Sequence, residues 1–190
     1  MSIQKISRSK ASTSHWSGGT TTEFYIYPPD KSYANRNFAI RISSATVDLA
    51  ESDFTLVQGY QRIITPLQGG FTLTFPEDGN RQVTLAPLEE AFFNGSWHTH
   101  SVGKAVDFNV MYQKGMSAAY KRLKGSQTLP PSQGQRFLYV PLLPEEQLQG
   151  AALRDLPLER DTLYVLSPDE GTVPMQLPAG AEVIFVEVKD

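Results

Sequence analysis

Apolar residues along this chain come in short runs that alternate with polar ones, and glycine and proline supply the breaks between them. The stretch GGFTLTFPEDGNRQVTLAPL shows the pattern most clearly. Phe71, Leu73 and Phe75 share one face, Thr72 and Thr74 the other, Asp78-Gly79 supplies a turn, and Val83 and Leu85 resume the apolar face. A period of two broken by a Gly-containing turn predicts a β-hairpin. The same reading predicts strands over 24–27, 38–47, 61–66, 105–112, 137–142, 162–166 and 182–188, most of them rich in β-branched or aromatic residues. Helical character is confined to PEEQLQGAALRDL, where Pro144 suits a first turn and Glu145 and Glu146 its positive end, while Gly150 weakens the interior. One short helix or turn is expected there. Short strands at this spacing predict an all-β sandwich or barrel. VTLAPLEEAFF from Val83 and VPMQLPAGAEVIFVEV from Val173 repeat one order of strand, proline-bearing turn with an acid, and apolar run, which suits a duplicated barrel.

Composition narrows the function classes. The chain of 190 residues is 40% hydrophobic and 19% charged, which excludes a disordered chain and permits a real core. Its net charge is -3 and its lysines and arginines are scattered, so nothing matches the basic footprint of a nucleic-acid binder. It contains no cysteine, which removes disulfides, thiolate metal sites and a cysteine nucleophile. No stretch has the apolar core of a signal peptide or the roughly 20 apolar residues of a membrane span, and a cytoplasmic location is expected.

Several stretches could carry chemistry. In HWSGGTTTEF, Gly18 and Gly19 free the backbone beside Trp16, and strand alternation sets Thr20, Thr22 and Phe24 on one side and Thr21, Glu23 and Tyr25 on the other. Arg41 leaves the face of Phe38, Ile40 and Ile42 and joins Ala39, Ser43 and Ala45, whose small side chains could floor a cavity, and Arg62 sits in an apolar strand. Two such arginines could grip a carboxylate, or each could pair with a structural acid such as Glu23 or Asp107. In VDFNVM, Asp107, Asn109 and Met111 share a face, either as a satisfied polar network or as a ligand contact. In WHTH, His98 and His100 would share a face of an extended strand, the spacing by which barrel metal sites present two imidazoles. A metal would need more ligands, and the only other histidine is His15. No G-x-S-x-G elbow, Walker loop or G-x-G-x-x-G loop is present.

Taken together, W-S-G-G-T-T-T-E at 16–23, F-A-I-R-I-S-S-A-T-V at 38–47, F-T-L-V-Q-G-Y-Q-R-I-I at 54–64 with L-Q-G-G at 67–70, and D-F-N-V-M at 107–111 resemble the HutD/Ves family of cupin-like proteins over roughly 16–115. The family opening reads W-x-N-G-G-G-x-T-x-E; here Trp16 and Glu23 stand two residues closer and the asparagine is missing. The resemblance implies an antiparallel double-stranded β-helix, a cupin or jelly roll duplicated into one compact bicupin unit over 1–190, with halves near 1–115 and 116–190. It also implies a bacterial protein associated with histidine utilisation or stress response that binds a small molecule rather than catalysing a step. The expected site is a mostly apolar cavity with Trp16, Thr20, Thr22, Glu23, Arg41, Arg62 and Asn109 as ligand-binding residues, no catalytic residue and no cofactor. The expected partner is a small, anionic ligand, with no nucleic acid and no membrane, and exposed sheet edges suit a homodimer. Two other classes compete: a metal-dependent cupin enzyme built on His98 and His100, and a carbohydrate-binding jelly roll using Tyr25, Tyr27 and Tyr33 as stacking platforms.

Overall fold

The computed structural model describes residues 3–190, in which antiparallel strands and short 3₁₀ turns account for all the regular structure. Among the described residues no helix is long and apolar enough to cross a membrane. The chain divides into two units, Ala11–Gly115 and Met1–Lys10 with Met116–Asp190.

In the unit Ala11–Gly115, a six-stranded sheet runs in the order Ser12–Trp16, Gly19–Tyr27, Ile40–Val47, Ala105–Gln113, Tyr60–Gly69, Ala91–Asn94. A four-stranded sheet runs Glu51–Asp53, His100–Val102, Phe71–Phe75, Arg81–Leu85. Ile64, Ala91 and Phe93 from the first sheet and Phe71, Leu73, Phe75 and Leu85 from the second pack into one cluster, so the two sheets close on a shared interior. The expected hairpin is present: Phe71–Phe75 pairs with Arg81–Leu85 through a 3₁₀ turn over Pro76–Asp78, which Gly79 closes in the left-handed conformation at φ 65°.

In the other unit, a five-stranded sheet runs Gln4–Ser7, Thr162–Leu166, Gln135–Val140, Glu182–Lys189, Ser117–Lys124, and a four-stranded one Gln127–Leu129, Val173–Gln176, Ala152–Leu153, Leu156–Pro157. Its core joins Leu138, Val140, Tyr164, Val183 and Phe185 to Leu129, Leu153, Val173 and Met175. The helical signal at Pro144 becomes a 3₁₀ turn over Glu145–Leu148.

Counting eight strands in chain order, from Ile40 in one unit and from Ser117 in the other, both units have 1-8-3-6 in one sheet and 2-7-4-5 in the second. This is the double-stranded β-helix, present twice. The segments that suggested duplication are nevertheless not equivalent. Val83 lies in a fifth strand and Phe93 in a sixth, whereas Val173 opens a seventh and Glu182 an eighth. Strand-turn-strand recurs in any meander, and the true counterparts of Val173–Gln176 and Glu182–Lys189 are His100–Val102 and Ala105–Gln113.

Candidate functional site

The unit Ala11–Gly115 contains a cavity of about 290 Å³. Its floor is a grid set by strand register. Met111 lies between Arg41 and Arg62, Asn109 between Ser43 and Ile64, and Asp107 between Ala45 and Pro66. The period of two turns Arg41, Ser43 and Ala45 of one strand, and Asp107, Asn109 and Met111 of the next, to the same side. Ser14, Trp16, Thr21, Tyr33, Val47 and the segment 52–55 complete the lining.

The two arginines differ in how their charge is met. Arg41 donates through Nε to Glu23 Oε2 at 2.6 Å and through Nη1 to Ser43 Oγ at 3.2 Å, and its guanidinium lies 4.1 Å from the centre of the Tyr33 ring. Its charge is neutralised by a carboxylate on the adjacent strand. Arg62 is 5% exposed and has no carboxylate within ion-pair distance among the described residues. Nη1 reaches Thr55 O at 3.4 Å, Nε has no hydrogen-bond partner, and the guanidinium lies 5.2 and 5.1 Å from the Phe54 and Phe93 ring centres. Burial pulls its pKa down to about 10, opposed by the charge of Asp107. At neutral pH it is still a cation, buried and only partly hydrogen-bonded. Asp107 itself is anchored by its own sheet, accepting from Ala45 N–H at 3.1 Å beside a bulge between Val106 and Asp107.

The opening stretch forms the rim. Ser17 and Gly18 make a two-residue turn between Trp16 and Gly19, and the Trp16 ring folds so closely over Gly18 that a Cβ there would sit 2.0 Å from it. The structure therefore brings Trp16, Arg41, Arg62 and Asn109 to one cavity, with Glu23 joined to Arg41. Thr20 and Thr22 lie elsewhere: Thr20 Oγ1 is 3.1 Å from Thr46 Oγ1, and buried Thr22 has its Oγ1 3.0 Å from Thr13 Oγ1. They share the side of buried Phe24, and Thr21 takes the cavity side instead. Asp107 and Ser43 were visible in the alternation as companions of Asn109 and Arg41. Tyr33, in a loop without periodicity, and Ser52 carried no such signal.

The histidines point to separate acids. His98 Nδ1 contacts Glu77 Oε1, while His100 Nδ1 lies 2.9 Å from Asp53 Oδ1 and its Nε2 3.8 Å from Glu51 Oε2. His98 precedes the strand His100–Val102, so the two do not share a strand face. Among the described residues no group of three or more His, Cys, Asp or Glu is placed to hold a metal ion. Tyr33 has Arg36 at 3.6 Å and Arg41 at 4.1 Å over its ring, so cations already occupy it as a stacking platform.

In overall structure the chain is similar to HutD from Pseudomonas fluorescens SBW25, solved in a formate condition, with a TM-score of 0.78 and 22% identity over 99% of this chain and 98% of that one. It is similar also to a conserved protein of unknown function from Pseudomonas aeruginosa PAO1, with a TM-score of 0.79 and 22% identity over the whole of both chains. More distant in sequence, an oxalate decarboxylase from Lactobacillus farciminis in a formate complex aligns at a TM-score of 0.62 and 11% identity, over all of this chain and 86% of that one. These likenesses establish the cupin fold. No curated protein sequence matches the chain. The HutD family model matches residues 8–185, nearly the whole length that the duplicated jelly roll occupies, and the chain belongs to the HutD family.

Proposed function

We propose that the protein is a non-enzymatic binder of a small carboxylate, held in the cavity of the unit Ala11–Gly115 with Arg62 as its anchor, and that binding serves to modulate flux through histidine or urocanate catabolism. The observation that carries this reading is the buried Arg62 guanidinium, which lines the cavity with its Nε unpartnered. A buried cation is costly unless an anion or several acceptors meet it, and a carboxylate supplies two oxygens in the guanidinium's own plane. Arg41, already bonded to Glu23, would shape the site rather than hold the charge. An oxalate decarboxylase of this fold was solved as a formate complex, so a protein of this fold can bind a small carboxylate.

Isothermal titration with formate, acetate and urocanate tests it. Binding by the wild-type protein, weakened at least tenfold in Arg62→Met and little changed in Lys104→Ala, where Lys104 is exposed and outside the cavity lining, is the expected result. Ligand saturating the site at 100 times its Kd would also stabilise the native state by about 2.7 kcal/mol, visible as a raised melting temperature. Equal binding by Arg62→Met and wild type would refute the anchor.

A further inference from the structure

A carboxylate on Arg62 leaves two other groups of the cavity unaccounted for. Asn109 is 7% exposed, and its Oδ1 is buried without a hydrogen-bond partner. Ser52 Oγ is likewise buried and unpartnered. Both residues line the same cavity as Arg62. Their chemistry is complementary: Arg62 Nε can only donate, Asn109 Oδ1 can only accept, and a hydroxyl such as Ser52 does either. A plain carboxylate has nothing to give Asn109 Oδ1, and a buried acceptor left unmet weakens binding.

Register places the two demands close together. Arg62 is opposite Met111, and Asn109 lies two residues before Met111 on the same face, so Arg62 and Asn109 are diagonal neighbours. Such neighbours lie about 7–8 Å apart on adjacent antiparallel strands. One short molecule can span them if its donor stands one or two carbons from its carboxylate.

We infer that the cavity takes a small organic acid carrying an O–H or N–H donor beside its carboxylate, a hydroxy or amino acid rather than a plain fatty acid, and that Asn109 reads the donor. The inference rests on the carboxylate reading above and narrows its ligand class.

Matched pairs that differ only in the donor test it: propionate against lactate and alanine, and butyrate against 3-hydroxybutyrate, each titrated calorimetrically into wild type, Asn109→Ala, Asn109→Ser and Arg62→Met. Wild type should bind the donor-bearing member about tenfold more tightly. Asn109→Ala should bring the two members of each pair to equal affinity, and Asn109→Ser, which keeps an acceptor oxygen, should restore part of the preference. Equal binding of both members by wild type would overturn the inference and leave the carboxylate reading intact, since Asn109 would then offer its amide N–H to the carboxylate. A preference that survives in Asn109→Ala would overturn it too, by removing Asn109 as the reader. Binding of no acid by wild type would sink the carboxylate reading itself.

Discussion

In the unit Ala11–Gly115 the eighth strand of the jelly roll turns Asp107, Asn109 and Met111 towards a cavity; in the other unit the eighth strand turns Val183 and Phe185 into a core shared with Leu138 and Tyr164. Each unit also buries an arginine on its third strand, and the two are met differently. Arg136, with no exposed surface, donates to three carbonyls, those of Pro130, Gly171 and Ser167. Arg62 has one long bond to Thr55 O. Nε is unpartnered in both, so the contrast lies in the terminal nitrogens. An arginine that serves the fold gathers backbone acceptors around itself. Arg62 instead sits at the edge of open space, as a group does whose partner arrives from outside. The same strand order thus supports a filled barrel and a hollow one, with the difference set by a few inward positions on strands one, three and eight.

Substitution at Arg136 should have the greatest effect. Arg136→Met strands three carbonyls and should lower stability by about 3–5 kcal/mol in chemical denaturation, since removing one side of a buried polar network leaves the other uncompensated. A loss below about 1 kcal/mol would show that its carbonyl contacts are incidental. Next in size, Leu138→Ala hollows the filled barrel at a fully buried site and should cost about 2–5 kcal/mol, read as a lower denaturation midpoint at unchanged slope. Tyr164 gives a smaller effect with a pH signature. Its hydroxyl donates to Pro157 O at 2.9 Å and accepts from Glu159 N–H at 2.8 Å, and burial pushes its pKa up to about 12. Because the folded state favours the neutral phenol, this contribution is complete below the ordinary tyrosine value near 10 and is lost as pH rises from about 10 to about 12. Tyr164→Phe should cost about 1–2 kcal/mol at neutral pH and flatten part of the alkaline decline in a pH series of melts. Buried Tyr139, also shifted well upward, maintains the rest. Smallest of all, Arg62→Met should leave stability within about 1 kcal/mol of wild type, or raise it, because a poorly met charge gives way to a hydrophobe. If it destabilises as much as Arg136→Met, the two arginines are alike and the distinction drawn between the units fails.

Much of this was legible in the sequence, unevenly and for physical reasons. Period-two alternation identifies the hairpin over 71–85 and sets Arg41 with Ser43 and Ala45, and Asp107 with Asn109, because those strands are long and their side chains alternate without a break. Alternation divides a strand into two faces without saying which one looks inward. For Gly19–Tyr27 both faces are at least half-buried through Glu23, so Thr20 and Thr22 were as eligible for the cavity as Thr21. A bulge between Glu23 and Tyr25 then shifts the phase. Ser117–Lys124 carries no strand signal because SAAYKRLK is an edge strand in which only Leu123 is buried, leaving little apolar pattern to read. Tyr33 depends on a loop whose path is set by contacts distant in sequence, such as Tyr60 donating to Phe38 O at 2.7 Å.

The N-terminal strand bears on the order of assembly. Gln4–Ser7 pairs with Thr162–Leu166, and Arg8 Nε bonds to Asp161, which also accepts from Tyr139, across 153 positions of chain. Gln4–Ser7 is therefore made well before the strand it pairs with, while Ala11–Gly115, contiguous in the chain, has all of its strands once Gly115 has emerged. Vectorial synthesis thus supplies every strand of the hollow barrel before it completes the filled one.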